Sequence, residues 1–290
     1  MVLPVIWFGI IGLAVMMYVL MDGFVMGMGI LAPFAEDDQQ LDLMMNTAAP
    51  VWDGNETWLV LGGTGLFAAF PKAYALMLSA LYLPVLLMLG AIVEGLPLEG
   101  GKFSGAAFAW FSPFAMLTGT AVVFGYALLG STWLILKTEA ATQNIAYALT
   151  RPLVAVVVAF MGLVSASLPF LNSQIMARWF QHWNFLWLSP VPVLAVINAI
   201  LLWRAVMRRA EVAPFILALT FFGLGFVGLL IGMWPNLLPP SLSIWDAAAP
   251  PASQKFVLVG TLVILPAVFG YTWWSYKVFA GKVTAQAGYH

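Results

Sequence analysis

The chain contains no cysteine among its 290 residues. Disulfides, thiolate-bound metals and the Cys-x-x-Cys-His haem attachment are thereby excluded. Charge is almost as scarce. Charged residues make up 8% of the chain, against roughly 25% in an ordinary soluble domain. A net charge of −1 gives no basic surface on which to expect a nucleic-acid partner. There are two histidines, His182 and His290. The start of the chain lacks a basic leading region, so a cleavable signal is not expected. Strands of alternating apolar and polar residues, the mark of an outer-membrane barrel, are also missing.

What the sequence does have is hydrophobe, at 63% of its residues, and a mean hydropathy of +0.97. Apolar stretches recur along the full length. They predict an all-α polytopic transmembrane bundle of seven or eight segments, forming one integral membrane domain over residues 1–290. The expected segments are 4–31, 57–70, 73–93, 108–136, 152–171, 187–207, 214–234 and 256–276. Spanning takes about 20 apolar residues, so the second segment is short for a crossing. Pro84, Pro113 and Pro266 fall inside segments, where membrane helices tolerate them.

Lys and Arg set the orientation. If every segment crosses and the C-terminus is cytoplasmic, Lys72, Lys137, Arg151, Arg204, Arg208, Arg209, Lys277 and Lys282 lie inside. Lys102, Arg178 and Lys255 then lie outside, together with the acidic stretch after the first segment (Glu36, Asp37, Asp38, Asp42). Trp179, Trp183 and Trp187, and later Trp273, Trp274 and Tyr276, read as rings anchored at the membrane interface.

Against this apolar background two acidic positions stand out. Asp22 is the one charge between Trp7 and Leu31. A carboxylate at membrane depth costs several kcal/mol, so such residues face protein or a water path. Gly23 and Gly27 beside it form a small-xxx-small pair that lets another helix come close. Asp22 is read either as a proton relay or as a buried acid with only a structural hydrogen bond. The second position is Trp52-Asp-Gly-Asn-Glu-Thr-Trp58. Asp53 and Glu56, spaced i, i+3, share a face if a helix begins there. Asp53 reads as an N-cap, a proton acceptor, or both, and, beside Glu56 and Asn55 at the end of a polar loop, it is expected to meet water. Neither His182, flanked by interfacial tryptophans, nor His290 has the setting of a haem ligand. Methionines scattered through apolar helices read as packing. No bound cofactor is therefore expected on this chain. Gly62-Gly-Thr-Gly65 reads as close helix packing, and Thr118 and Asn198 as interhelical hydrogen-bonders.

Several motifs carry a resemblance. Tyr18-Val-Leu-Met-Asp-Gly-Phe24, Asn46-Thr-Ala-Ala-Pro-Val-Trp-Asp-Gly-Asn-Glu-Thr-Trp58, Leu66-Phe-Ala-Ala-Phe-Pro71 and Gly270-Tyr-Thr-Trp273 resemble subunit II of the cytochrome bd-type quinol oxidases, in the cyanide-insensitive branch. The resemblance implies a bacterial inner-membrane complex with a subunit I that carries haem b and haem d, oxidises quinol and reduces oxygen to water. A small single-helix subunit, quinone and membrane lipid complete the expected partners. Asp22 and Asp53 then correspond to acids proposed to line a proton route, with Glu56 alongside. Two departures stand out. Val25 occupies the place of a second acid in Asp-Gly-Phe-Asp, and a basic loop with a further helix is missing between Val93 and Gly95. A proton- or cation-coupled transporter is the alternative from another class, although no internal repeat supports it. A purely structural subunit is the third reading.

Overall fold

The computed structural model describes residues 2–81, 92, 98–99, 102–104, 111–171 and 173–283. Eleven α-helices are named among them: α1 (Val2–Leu31), α2 (Asp38–Ala48), α3 (Trp52–Ala69), α4 (Pro71–Leu81), α5 (Pro113–Lys137), α6 (Ala140–Leu171), α7 (Ser173–Phe180), α8 (Asn184–Leu188), α9 (Pro190–Met207), α10 (Ala213–Met233) and α11 (Pro251–Val278). Two short antiparallel hairpins join them, β1 (Leu98–Glu99) with β2 (Lys102–Phe103) and β3 (Asn236–Leu238) with β4 (Leu242–Ser243). Six helices, α8 and α9 counting as one, are long and apolar enough to span a membrane, and α3 with α4 makes a seventh candidate, bent by 117°.

The central post is α5. Of its most apolar window 61% is buried, against 11% for α6 and α11. That low burial suits helices whose outer faces are solvated by lipid. Along α1 and α5 two glycines remove the side chains that would hold the backbones apart. A Cβ at Gly27 would stand 1.9 Å from the Tyr126 carbonyl oxygen, and one at Gly130 would stand 2.6 Å from the Gly27 carbonyl carbon. The small-residue expectation at Gly27 is borne out, with Gly130 as its counterpart. α3 runs antiparallel to α1: Asn55 Nδ2 donates to the Met21 carbonyl at 2.9 Å, while positions 62 and 65 meet Ala14 and Ile11. α11 closes over α3, with Trp58 Nε1 donating to Thr272 Oγ1 at 3.2 Å.

Two polar ends result. At one, Thr47 of α2 accepts from Trp133 Nε1 at 3.1 Å and Tyr147 donates to the Ala210 carbonyl at 2.9 Å. There the α5 side chain Lys137 donates to the carbonyls of Phe279 (2.5 Å) and Gly281 (3.0 Å) just past α11. At the opposite end Trp7 Nε1 donates to the Gln254 carbonyl at 3.2 Å, and Arg178 donates to the Trp234 carbonyl at 2.9 Å.

This geometry corrects several expectations. The acidic stretch after α1 lies at the same end as the C-terminus, not opposite it, because α3 ends and α5 begins at the far end. Lys72, at the start of α4, falls at that far end with Arg178 and Lys255. The stretch is also helical: Asp37 caps α2 by accepting from Gln40 N at 2.7 Å. The second segment begins at Trp52 instead of 57, and its 18 residues give it a length of about 27 Å at the usual helical rise. α6 begins at Ala140, with Pro152 inside it. Of segment 73–93, only residues 73–81 and 92 are described, and residues 105–110 and 284–290, with His290, also lie outside the described set.

Candidate functional site

Asp22 sits where α1, α3, α5 and α11 meet. It is 3% exposed, and its Oδ2 has no hydrogen-bond partner among the described residues. A bare carboxylate oxygen in an apolar interior is costly. Around it stand groups from all four helices. Tyr18, one turn earlier on α1, stacks on the same helix face as the carboxyl group and is close enough to feel its charge. Glu56 of α3, Tyr126 of α5 and Tyr276 of α11 are close enough to feel its charge.

Tyr276 also ties this junction together. Its hydroxyl donates to Asn55 Oδ1 at 3.0 Å, and Asn55 Nδ2 donates to the Met21 carbonyl beside Asp22. Asn55 is fully buried and so joins α3 to both α1 and α11. Asp53, expected to meet water, is exposed, whereas its neighbour Asn55 is not. Beginning the helix at Trp52 turns position 55 inward and leaves Trp52, Asp53 and Glu56 exposed. The i, i+3 pairing of Asp53 with Glu56 on one face is borne out. The N-cap reading of Asp53 is not: the cap is Val51, with no side-chain hydrogen bond, and Asp53 falls in the first turn. A helix start read two residues early would have exposed the inward turn of Asn55; the polar run Asp-Gly-Asn-Glu masked it.

The other candidates separate from this site. Thr118 donates to the carbonyls of Phe114 (3.1 Å) and Ala115 (2.9 Å) in its own helix, so it does not bridge helices. Asn198 is buried, yet its Oδ1 finds no partner among the described residues. His182 lies exposed in the turn before α8 with φ of 56°. Met28, Met44 and Met77 are buried in the core. Among the described residues no three His, Asp or Glu side chains are grouped to hold a metal.

Comparisons with known proteins converge on one family. The family described as "Cytochrome bd terminal oxidase subunit II" matches residues 3–93 and 87–279. The "Cytochrome bd-I ubiquinol oxidase subunit 2" of Escherichia coli is 25% identical over 375 residues, covering 98% of this chain and 96% of that one. The "Cytochrome bd ubiquinol oxidase subunit 2" of Bacillus subtilis is 23% identical over 334 residues, covering 96% of each. Both alignments are longer than the 290-residue chain, so these relatives carry residues with no counterpart here. The two family matches overlap at 87–93, next to the Val93–Gly95 junction where a loop and helix were expected to be missing. A chain of the solved bd oxidase from Geobacillus thermodenitrificans shares the fold, with a TM-score of 0.75 at 18% identity over 96% of this chain and 99% of that one. From motif, full-length match and fold together, the chain belongs to the cytochrome bd terminal oxidase subunit II family.

Proposed function

We propose that this chain is the haem-free subunit of a membrane quinol oxidase, docked on a haem-bearing subunit I that oxidises quinol and reduces oxygen to water. In this reading Asp22, Asp53 and Glu56 carry protons toward that partner. The observation that carries it is the orphaned, buried Oδ2 of Asp22 where α1, α3, α5 and α11 meet. A carboxyl group kept at membrane depth is a functional site by default. Family membership removes the transporter alternative.

Two further features support the reading. Trp52, Glu56, Leu59, Val60 and Phe67 form an exposed stripe on α3 at helical spacing. Its carboxylate would be costly against lipid, which favours a protein covering this face. The end that holds Lys137, Arg204, Arg208, Arg209, Lys277 and Lys282 is the cation-rich one, so the positive-inside rule assigns it to the cytoplasm of a bacterial inner membrane. Asp53 then opens toward the cytoplasm, the side from which the family resemblance draws protons.

Gentle detergent purification tests the assignment. A larger haem-bearing subunit should co-purify, and the chain expressed alone should be colourless. Stoichiometric haem on the isolated chain, lost in His182→Ala, would overturn it. For the relay, quinol-driven oxygen consumption by haem-loaded complexes should fall at least about tenfold in Asp22→Asn or Asp53→Asn, a part of the roughly 100- to 10,000-fold that a positioned acid or base supplies. Normal rates in both would leave these acids a structural role.

A further inference from the structure

We infer that Tyr18 is the hydroxyl link that passes protons between Glu56 on α3 and Asp22 on α1, so that Glu56 stands in for the second acid that Val25 has replaced. The inference rests on the proton-route reading above and names its middle step.

Three observations carry it. The first is register. With Asn55 bonded to the Met21 carbonyl and position 62 against Ala14 and Val15, the antiparallel helices bring Glu56 level with the Tyr18–Asp22 turn of α1. The second is helical spacing: positions 18 and 22 lie four apart, so their side chains stack on one face. The third is the unpartnered Oδ2 of the buried Asp22, an acceptor left open at the inner end. Of the three tyrosines near Asp22, Tyr18 is the one close enough to feel the charge of Glu56 as well. Tyr126 and Tyr276 face Asp22 from α5 and α11, but the Tyr276 proton is engaged by Asn55.

The step balances without any other reactant. Protonated Glu56 gives its proton to the Tyr18 hydroxyl oxygen while the Tyr18 proton passes to the Asp22 carboxylate. Glu56 is left ionised, Asp22 neutral and Tyr18 unchanged. A phenol is suited to this because it donates and accepts at one oxygen.

The decisive variant is Tyr18→Phe, which keeps the ring and removes the oxygen. In assembled complexes with unchanged haem content, quinol-driven turnover should fall about tenfold or more. The loss should deepen at high pH, where a proton must be captured from a scarcer supply, and the solvent deuterium isotope effect should rise. Glu56→Gln should behave the same way, and the double variant should be no slower than either single one, as expected for residues acting in series. Infrared difference spectra should show the Asp22 carboxyl band, identified by its loss in Asp22→Asn, shifted in Tyr18→Phe. Slow turnover in Asp22→Asn beside normal turnover, pH profile and isotope effect in Tyr18→Phe would overturn the link and leave the proton route standing. Normal turnover in Asp22→Asn, Asp53→Asn and Tyr18→Phe alike would overturn both.

Discussion

Asn55 commits both ends of its amide to other helices, donating to the Met21 carbonyl and accepting from Tyr276. In a membrane interior such interhelical bonds average about 0.6 kcal/mol and reach about 1.7. A double-mutant cycle of Asn55→Leu with Tyr276→Phe, read by unfolding in mixed detergent, should give a coupling in that range; additivity would show that the bond contributes nothing. Asp22, Asp53 and Glu56 were legible because charge is rare in this chain. The role of Asn55 was not, since at 100° per residue a shift in the helix start decides which of three adjacent polar groups points inward. Thr118 was misread for a related reason: a hydroxyl in a helix can satisfy itself on its own preceding turn, and sequence does not show which choice it makes.

Among the elements, the α1–α5 crossing is held by the absence of side chains. Gly27→Ala puts a methyl group onto the Tyr126 carbonyl oxygen, a clash with backbone that cannot rotate away. The cost should reach the upper part of the roughly 1–3 kcal/mol typical of overpacking, or exceed it. Gly9→Ala, with nothing within 4 Å of the added carbon, should be neutral. Comparing the yield of haem-loaded complex for the two variants checks this; equal yields would refute the close crossing. The long helices were readable from hydropathy. α2 was not, because its apolar content is low, yet it carried a capping signature: Asp37 accepts from Gln40 N while Gln40 Oε1 accepts from Glu36 N. The start of α6 was misplaced because Pro152 looks like a first-turn proline, whereas the helix continues back through Thr142 and Gln143 to Ala140.

At the scale of the whole molecule, the ends of five helices are tied at the C-terminal end by polar contacts between distant parts of the chain. Lys282 pairs with Glu211 at 2.9 Å and approaches Glu139 at 3.8 Å, and Val283 N donates to the Lys137 carbonyl at 2.8 Å. The Lys282 hydrogen bond, followed by one from Gln143, holds Glu211 below the usual carboxylate range despite a small opposing effect of burial. A carboxylate with a lowered folded-state pKa stabilises the fold fully above its unfolded value, about 4.3, and loses that contribution as pH falls through the folded value. Hydrogen exchange at the Val283 amide, corrected for intrinsic chemistry, should therefore lose protection below about pH 4.3. In Glu211→Gln that step should vanish, and a persisting step would assign it to another acid. Sequence alone misplaced the acidic end. Orientation was inferred by letting every segment cross, and one unpaired crossing between α1 and α5 inverts everything before it.

The Lys137 ammonium binds carbonyls contributed from 142 and 144 residues further along the chain, those of Phe279 and Gly281. Until those residues are made and α11 packs, the Lys137 ammonium has the Trp133 ring of its own helix but lacks these two acceptors. A chain cut before residue 279 would leave that ammonium without both acceptors, while one cut after Val283 would keep them.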